Sequence, residues 1–163
     1  MDFNIGDSIV LPLSGAGVIK GLSQREVDGK ADDFYELTFV YGNATFMVPV
    51  ASTEKCGLRH IIDEDEIPKV FEYFSTSDYK PKELNWNKRQ RENLDMLKTG
   101  SIYNAIDVFK HLLLLGTDKK LSSAEKKMMQ NAERAIISEL HLATGWSLSE
   151  VESKIDCAAK GIK

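Results

Sequence analysis

Residues 28–49 read DGKADDFYELTFVYGNATFMVP, and the reading of this stretch decides the fold. Asp28-Gly29 is a hairpin signal, because a two-residue type I′ turn needs positive φ at both central positions. Phe34 to Tyr41 is rich in aromatic and β-branched residues, as strands prefer. Gly42-Asn43 marks another tight turn. Ala44 to Val48 returns to an extended pattern, and Pro49 stops it. Upstream, Ser8 to Leu11 is a short apolar run before Pro12. Gly15 and Gly17 then break the chain as a turn, and Val18 to Val27 supplies a second extended stretch. The result is four or five short antiparallel strands joined by tight turns. A small, strongly bent sheet or SH3/Tudor-like barrel is the economical solution, since closure hides strand edges.

Beyond Pro49 the period changes. Ile67, Val70, Phe71 and Phe74 recur at helical spacing, behind acidic residues that suit the positive end of a helix dipole. Residues 75–83, STSDYKPKE, are polar and contain Pro81, as a linker does. From Asn85 onward the chain reads as helix. Asn85 caps a segment with Leu94 and Leu97 that ends near Gly100. Ser101 caps the next, whose apolar face includes Ile102, Ala105, Ile106, Phe109, Leu112 and Leu113, and Gly116 stops it. Ser122 and Glu125 fit a capping box, ahead of Met128, Met129, Ala132, Ala135, Ile136 and Leu140; Gly145 ends that helix. Ser147 and Glu150 fit the same box. The expectation is an α+β chain: a β domain with a trailing helix over 1–74, a linker over 75–84, and a compact four-helix bundle over 85–163.

Formal net charge is -4 over 163 residues, but the charge is unevenly spread. Residues 1–81 carry 7 Lys+Arg against 14 Asp+Glu, whereas residues 82–134 carry 11 against 7. Such asymmetry points to parts with different partners. The 42% apolar content supports a core. The longest apolar run, Leu112 to Leu115, is far short of a bilayer span. The opening residues lack the pattern of a signal peptide. Cys56 and Cys157 have no metal-like spacing and read as free, buried thiols in a reducing cytoplasm.

Little in the sequence speaks for catalysis. Gly15-Ala16-Gly17 starts like a dinucleotide fingerprint, but the next glycine, Gly21, is one residue late and no helical pattern follows. His60, His111 and His141 are dispersed without paired-ligand spacing, so no metal site is expected. Asp63 to Glu66 lacks the glycine and spacing of a calcium loop and reads as a solvated helix start. No catalytic residue and no cofactor is expected.

The residues that do suggest chemistry lie in LNWNKRQREN, residues 84–93. Lys88, Arg89 and Arg91 crowd a helix start, where an exposed cation opposes the dipole at roughly 0.3–1 kcal/mol each. Lys126 and Lys127 open another helix in the same way. Two such starts side by side would make one basic surface for phosphate. Trp86 can be either an apolar wedge for a minor groove or an interdomain packing residue. Ala44 to Val48, with Thr45, Phe46 and Met47, can be an edge strand that pairs with a partner's sheet, or a strand paired within the barrel.

In its order of motifs the chain resembles the CarD/CdnL family of bacterial transcription regulators. The likeness runs through Phe3, Ile5-Gly6-Asp7, Val10, Pro12, Gly15, Arg25, Asp28-Gly29 and Val48-Pro49. It continues through Asn85-Trp86, Lys88-Arg89, Asn93-Leu94, Leu121-Ser122, Glu125-Lys126-Lys127 and Glu139-Leu140. The resemblance implies a Tudor-like domain that docks on the RNA polymerase β subunit, of a type also found in the transcription-repair coupling factor. It also implies a helical domain that contacts promoter DNA at the upstream edge of the melted bubble and stabilises the open complex. Carried over, Arg25 contacts polymerase, Trp86 is the minor-groove wedge, and Lys88, Arg89, Arg91, Lys126 and Lys127 face phosphate. Met47 stands where some members have a second basic residue, Leu11 where an aromatic precedes the proline, and Ser14 where a histidine precedes the glycine. The implied protein is a cytoplasmic monomer, nucleoid-associated through polymerase, with no membrane partner. The alternative is an interaction adaptor with a Tudor-like module and no direct DNA contact.

Overall fold

A computed structural model describes residues 3–78 and 85–159. Five antiparallel strands come first: β1 (Ser8–Leu11), β2 (Gly15–Val27), β3 (Lys30–Phe39), β4 (Thr45–Pro49) and β5 (Arg59–His60), in the order β4-β3-β2-β1-β5. A four-residue helix, α1 (Thr53–Cys56), links β4 to β5. The β2–β3 turn is the expected one, with Asp28 at φ 53 and Gly29 at φ 80. A bulge between Ile19 and Gly21 bends β2. Ile9, Ile19, Tyr35, Leu37, Phe39 and Val48 fill the core on one face of the sheet.

The turn ahead of β2 is not at the glycines. It is Pro12 to Ser14, with Leu13 at φ 71, and Gly15-Ala16-Gly17 already belongs to the strand. Nor is Gly42-Asn43 a two-residue turn: the connection from β3 to β4 runs over residues 40–44.

The helices are α2 (Ile67–Thr76), α3 (Trp86–Lys98), α4 (Ile102–Asp118), α5 (Ser123–Thr144) and α6 (Leu148–Ala159). Asn85, Ser101 and Ser122 cap α3, α4 and α5 as their chemistry predicts. Ser147 accepts the Glu150 N–H at 3.2 Å at the start of α6. Gly116 does not stop α4, which continues through it to Asp118, because a glycine inside a helix needs no left-handed conformation to be accommodated.

By packing, α2 does not trail the sheet. Val70 and Phe74 are buried in one core with Ile106, Phe109, Leu112, Ile136, Leu140, Val151 and Ile155 of the other helices. Tyr73 and Ser77 both donate to the buried Asp107 carboxylate of α4, which fastens the helix end. Among the described residues the helical core therefore draws on five helices, the expected four and α2. Of the linker expected over 75–84, residues 75 and 76 close α2, and 79–84 lie outside the described residues. Among the described residues no helix is long and apolar enough to cross a membrane.

Candidate nucleic-acid interface

Two helix starts meet at the expected basic region. Asn85 accepts the backbone N–H of Asn87 at 2.9 Å and of Lys88 at 3.4 Å, which fixes the first turn of α3. Trp86 is the first helical residue and is 43% exposed. Lys88 and Arg91 are exposed behind it. At the start of α5, Ser122 and Glu125 close a full capping box, each accepting the other's backbone N–H at 3.1 Å. Lys126 and Lys127 follow, both exposed.

One carboxylate joins the two starts. Glu125, 3% exposed, accepts from the Arg89 guanidinium at 3.4 Å. Arg89 itself is 8% exposed. The expectation that it faces phosphate therefore does not fit its position. Arg89 lies about 60° from Trp86 and about 40° from Asn93 around the helix, on the side turned to the bundle, and its charge is spent on Glu125. Lys88, Arg91, Lys126 and Lys127 remain as cations presented to solvent on the first turns of α3 and α5.

The electrostatics under this surface are set by burial and partners. Burial alone would push the Glu125 carboxyl up. The bonds from the Ser122 backbone and side chain and from Arg89 outweigh it and hold the group below the usual glutamate range. A carboxyl with a depressed folded pKa gives its full stabilisation above the ordinary range and loses it as pH falls through the folded value. The gap in urea midpoint between the parent and Glu125→Gln should therefore be widest near neutrality and narrow below about pH 4. His111 is held below the usual histidine value by burial and by the charge of Arg89, against the pull of Glu125, with Lys119 adding to the lowering. It stays neutral at physiological pH.

On the sheet, the strand register sorts the other expected contact residues. Arg25 stands opposite Asp32, Met47 opposite Glu36 and Thr45 opposite Thr38. These β3 positions are even-numbered, while the core residues Tyr35, Leu37 and Phe39 are odd, so Arg25, Thr45 and Met47 share the outer face. Phe46 stands opposite Leu37 on the core face, but at the rim. It is 45% exposed and packs edge-on against Phe39 with ring centroids 5.1 Å apart. β4 pairs with β3 alone and is the edge strand at this end of the sheet.

What couples sheet to helices was not anticipated. Arg59 on β5 makes a two-pronged bond to Glu139 on α5, with both N–O distances 2.7 Å, and donates to the Gly100 carbonyl at 2.6 and 3.1 Å. Glu139, 2% exposed, also accepts the Ile62 N–H at 2.9 Å. The Ala16 N–H of β2 donates to the Ser138 hydroxyl at 3.0 Å. The one sequence signal was a charged residue, Glu139, inside the apolar pattern of α5.

Both cysteines are exposed, not buried as expected. Among the described residues no group of three His, Cys, Asp or Glu side chains is placed to hold a metal ion.

Comparison with known proteins agrees with this arrangement. Residues 3–62 match the domain family described as CarD-like/TRCF RID domain, and residues 69–156 match CarD, C-terminal domain. The second match starts within α2, as the packing of that helix requires. The chain is similar to the "Putative transcription factor YdeB" of Bacillus subtilis (strain 168), 30% identical over 151 residues, which cover 93% of this chain and 98% of that protein. These names point to transcription factors rather than to enzymes.

Proposed function

The chain belongs to the CarD family of transcription regulators, and on that premise we propose that it binds RNA polymerase through its sheet and stabilises the promoter open complex through α3 and α5. The observation that carries the reading is a half-exposed indole, Trp86, at the start of α3, with exposed Lys88 and Arg91 on that helix and Lys126 and Lys127 on the start of α5 that Glu125 joins to it through Arg89. Duplex DNA presents closely spaced phosphates, which a few cations bind without reading sequence. An apolar ring entering the minor groove disrupts stacking, at a few kcal/mol per step. At the upstream edge of a melted bubble that cost is already met. The ring therefore binds the open form better than the closed one, and only such differential affinity shifts an equilibrium.

On the sheet, an edge strand can extend the sheet of a partner, with backbone bonds for affinity and side chains for selectivity. β4 has this position, and Thr45 and Met47 share its outer face with Arg25. Met47 beside Glu36 makes the contact less basic than in family members with a second cation, so apolar burial by Met47 and Phe46 contributes more of it. The partner is the polymerase β subunit.

Trp86→Ala is expected to shorten the lifetime of competitor-challenged open complexes about tenfold or more, with polymerase binding intact. Replacing Lys126 and Lys127 by Gln is expected to weaken binding to forked DNA in the polymerase complex and to lower the salt slope by about 1 for each phosphate that a lysine no longer neutralises. An unchanged lifetime in Trp86→Ala overturns the wedge. A binding curve flat in salt favours an adaptor that touches no DNA.

A further inference from the structure

We infer that Tyr41 and Arg134 are positioning residues that clamp the polymerase-docking edge of the sheet to the DNA-facing helix α5. The inference rests on the function proposed above and adds what makes its two contacts act as one. Tyr41 lies in the connection from β3 to the edge strand β4, yet its ring packs against the helical core. The guanidinium carbon of Arg134 on α5 stands 5.3 Å from the ring centroid, within reach of a cation–π contact. Gly42, at φ 97, turns the chain directly after the ring, and β4 begins at Thr45. The entry to the docking edge is therefore fastened to a helix as well as to the sheet.

On α5 the clamp is in line with the cations. Lys127 and Arg134 are almost two turns apart, so they share one face, about 10 Å from each other along the axis. The clamp also extends a row of ties across the sheet. Arg59 holds Glu139 from β5, at one end of the strand order, and Ala16 holds Ser138 from β2 within it. Tyr41 adds a tie on the β4 side, roughly 6 to 8 Å back along α5 from Ser138 and Glu139. Ties spread over both sides of a sheet resist a rotation that ties on one side permit. Two binding surfaces on one rigid body meet their sites at high effective concentration, and surfaces that swing lose part of it. Arg134 is exposed, so its loss should change orientation more than folding.

The protein carries its own reporters. Cys56 on α1 and Cys157 on α6 are both exposed, so nitroxide labels on them give the distance between sheet and helices by pulsed electron spin resonance. The parent is expected to show a narrow distribution. Arg134→Gln and Tyr41→Leu are expected to broaden it and to shorten the open-complex lifetime roughly two- to fivefold. Their affinity for polymerase without promoter DNA should not change. Tyr41→Phe keeps the ring and Arg134→Lys the charge, so each should behave as the parent. Tyr41→Leu and Arg134→Gln together should be no worse than either alone, because both remove one contact. Arg134→Gln alters an exposed side chain and decides the matter even if Tyr41→Leu does not fold. A distribution as narrow in Arg134→Gln as in the parent overturns the clamp. So does a parental lifetime in that variant where Trp86→Ala shortens it. If Trp86→Ala leaves the lifetime unchanged, the open-complex reading falls, and the distance distribution by itself then upholds or overturns the clamp.

Discussion

Arg59→Ala is expected to destabilise the protein by about 3–5 kcal/mol, a large fraction of the stability of an ordinary domain. The guanidinium holds Glu139 with two bonds of 2.7 Å and reaches the Gly100 carbonyl, so it ties β5 to α5 and to the turn between α3 and α4. Removing it leaves Glu139, 2% exposed, to rely on the Ile62 N–H. A buried carboxylate so stripped costs much more than an exposed pair gains. Arg59→Lys keeps the charge but cannot make the fork, so it should fall between the two. Denaturant melts of both variants, with Glu139→Gln and the double variant, give the coupling energy directly. A loss under about 1 kcal/mol in Arg59→Ala would mean that the seam between sheet and helices does not depend on this pair. If it does, the same variant should still bind polymerase yet stabilise open complexes poorly, because the sheet then no longer fixes where Trp86 sits.

How far the sequence could be read depended on how local each signal was. The Asp28-Gly29 turn and the Asn85, Ser101 and Ser122 caps are decided within a few residues, and each formed as its chemistry requires. Trp86, Lys88, Arg91, Lys126 and Lys127 all reach the surface as the helical pattern implies. Arg89 does not, because its partner Glu125 lies 36 residues away and no periodicity marks a buried cation. Arg59 and Glu139 are 80 residues apart and were invisible for the same reason. The helix α2 followed its own period faithfully, yet which core its apolar stripe joined was a tertiary matter. Glycine was ambiguous too: Gly116 and Gly17 looked like breaks but lie inside a helix and a strand.

Gly17 carries the second large prediction. Gly17→Ala should cost about 3 kcal/mol or more, although its φ is not one that disfavours side chains. The obstacle is space. A Cβ there would stand 2.1 Å from the Thr38 carbonyl oxygen and 2.9 Å from the Phe39 Cα. Those are backbone atoms of the neighbouring strand, and they cannot swing aside as the end of a side chain does. β2 must back away from β3, which breaks the pairing of Gly17 with Phe39 and disturbs that with Ile9 on β1. The adjoining Ala16 donates its N–H to the Ser138 hydroxyl of α5, so the displacement also pulls on the seam. Gly29→Ala is the control. Gly29 has φ +80 but open space where a Cβ would go, so the penalty is backbone strain alone, about 1–2 kcal/mol. Amide exchange should show β1, β2 and β3 losing protection together in Gly17→Ala and only the hairpin tip fraying in Gly29→Ala. Equal denaturant midpoints for the two variants would show that the close approach of β2 to β3 does not depend on a missing methyl group at this position.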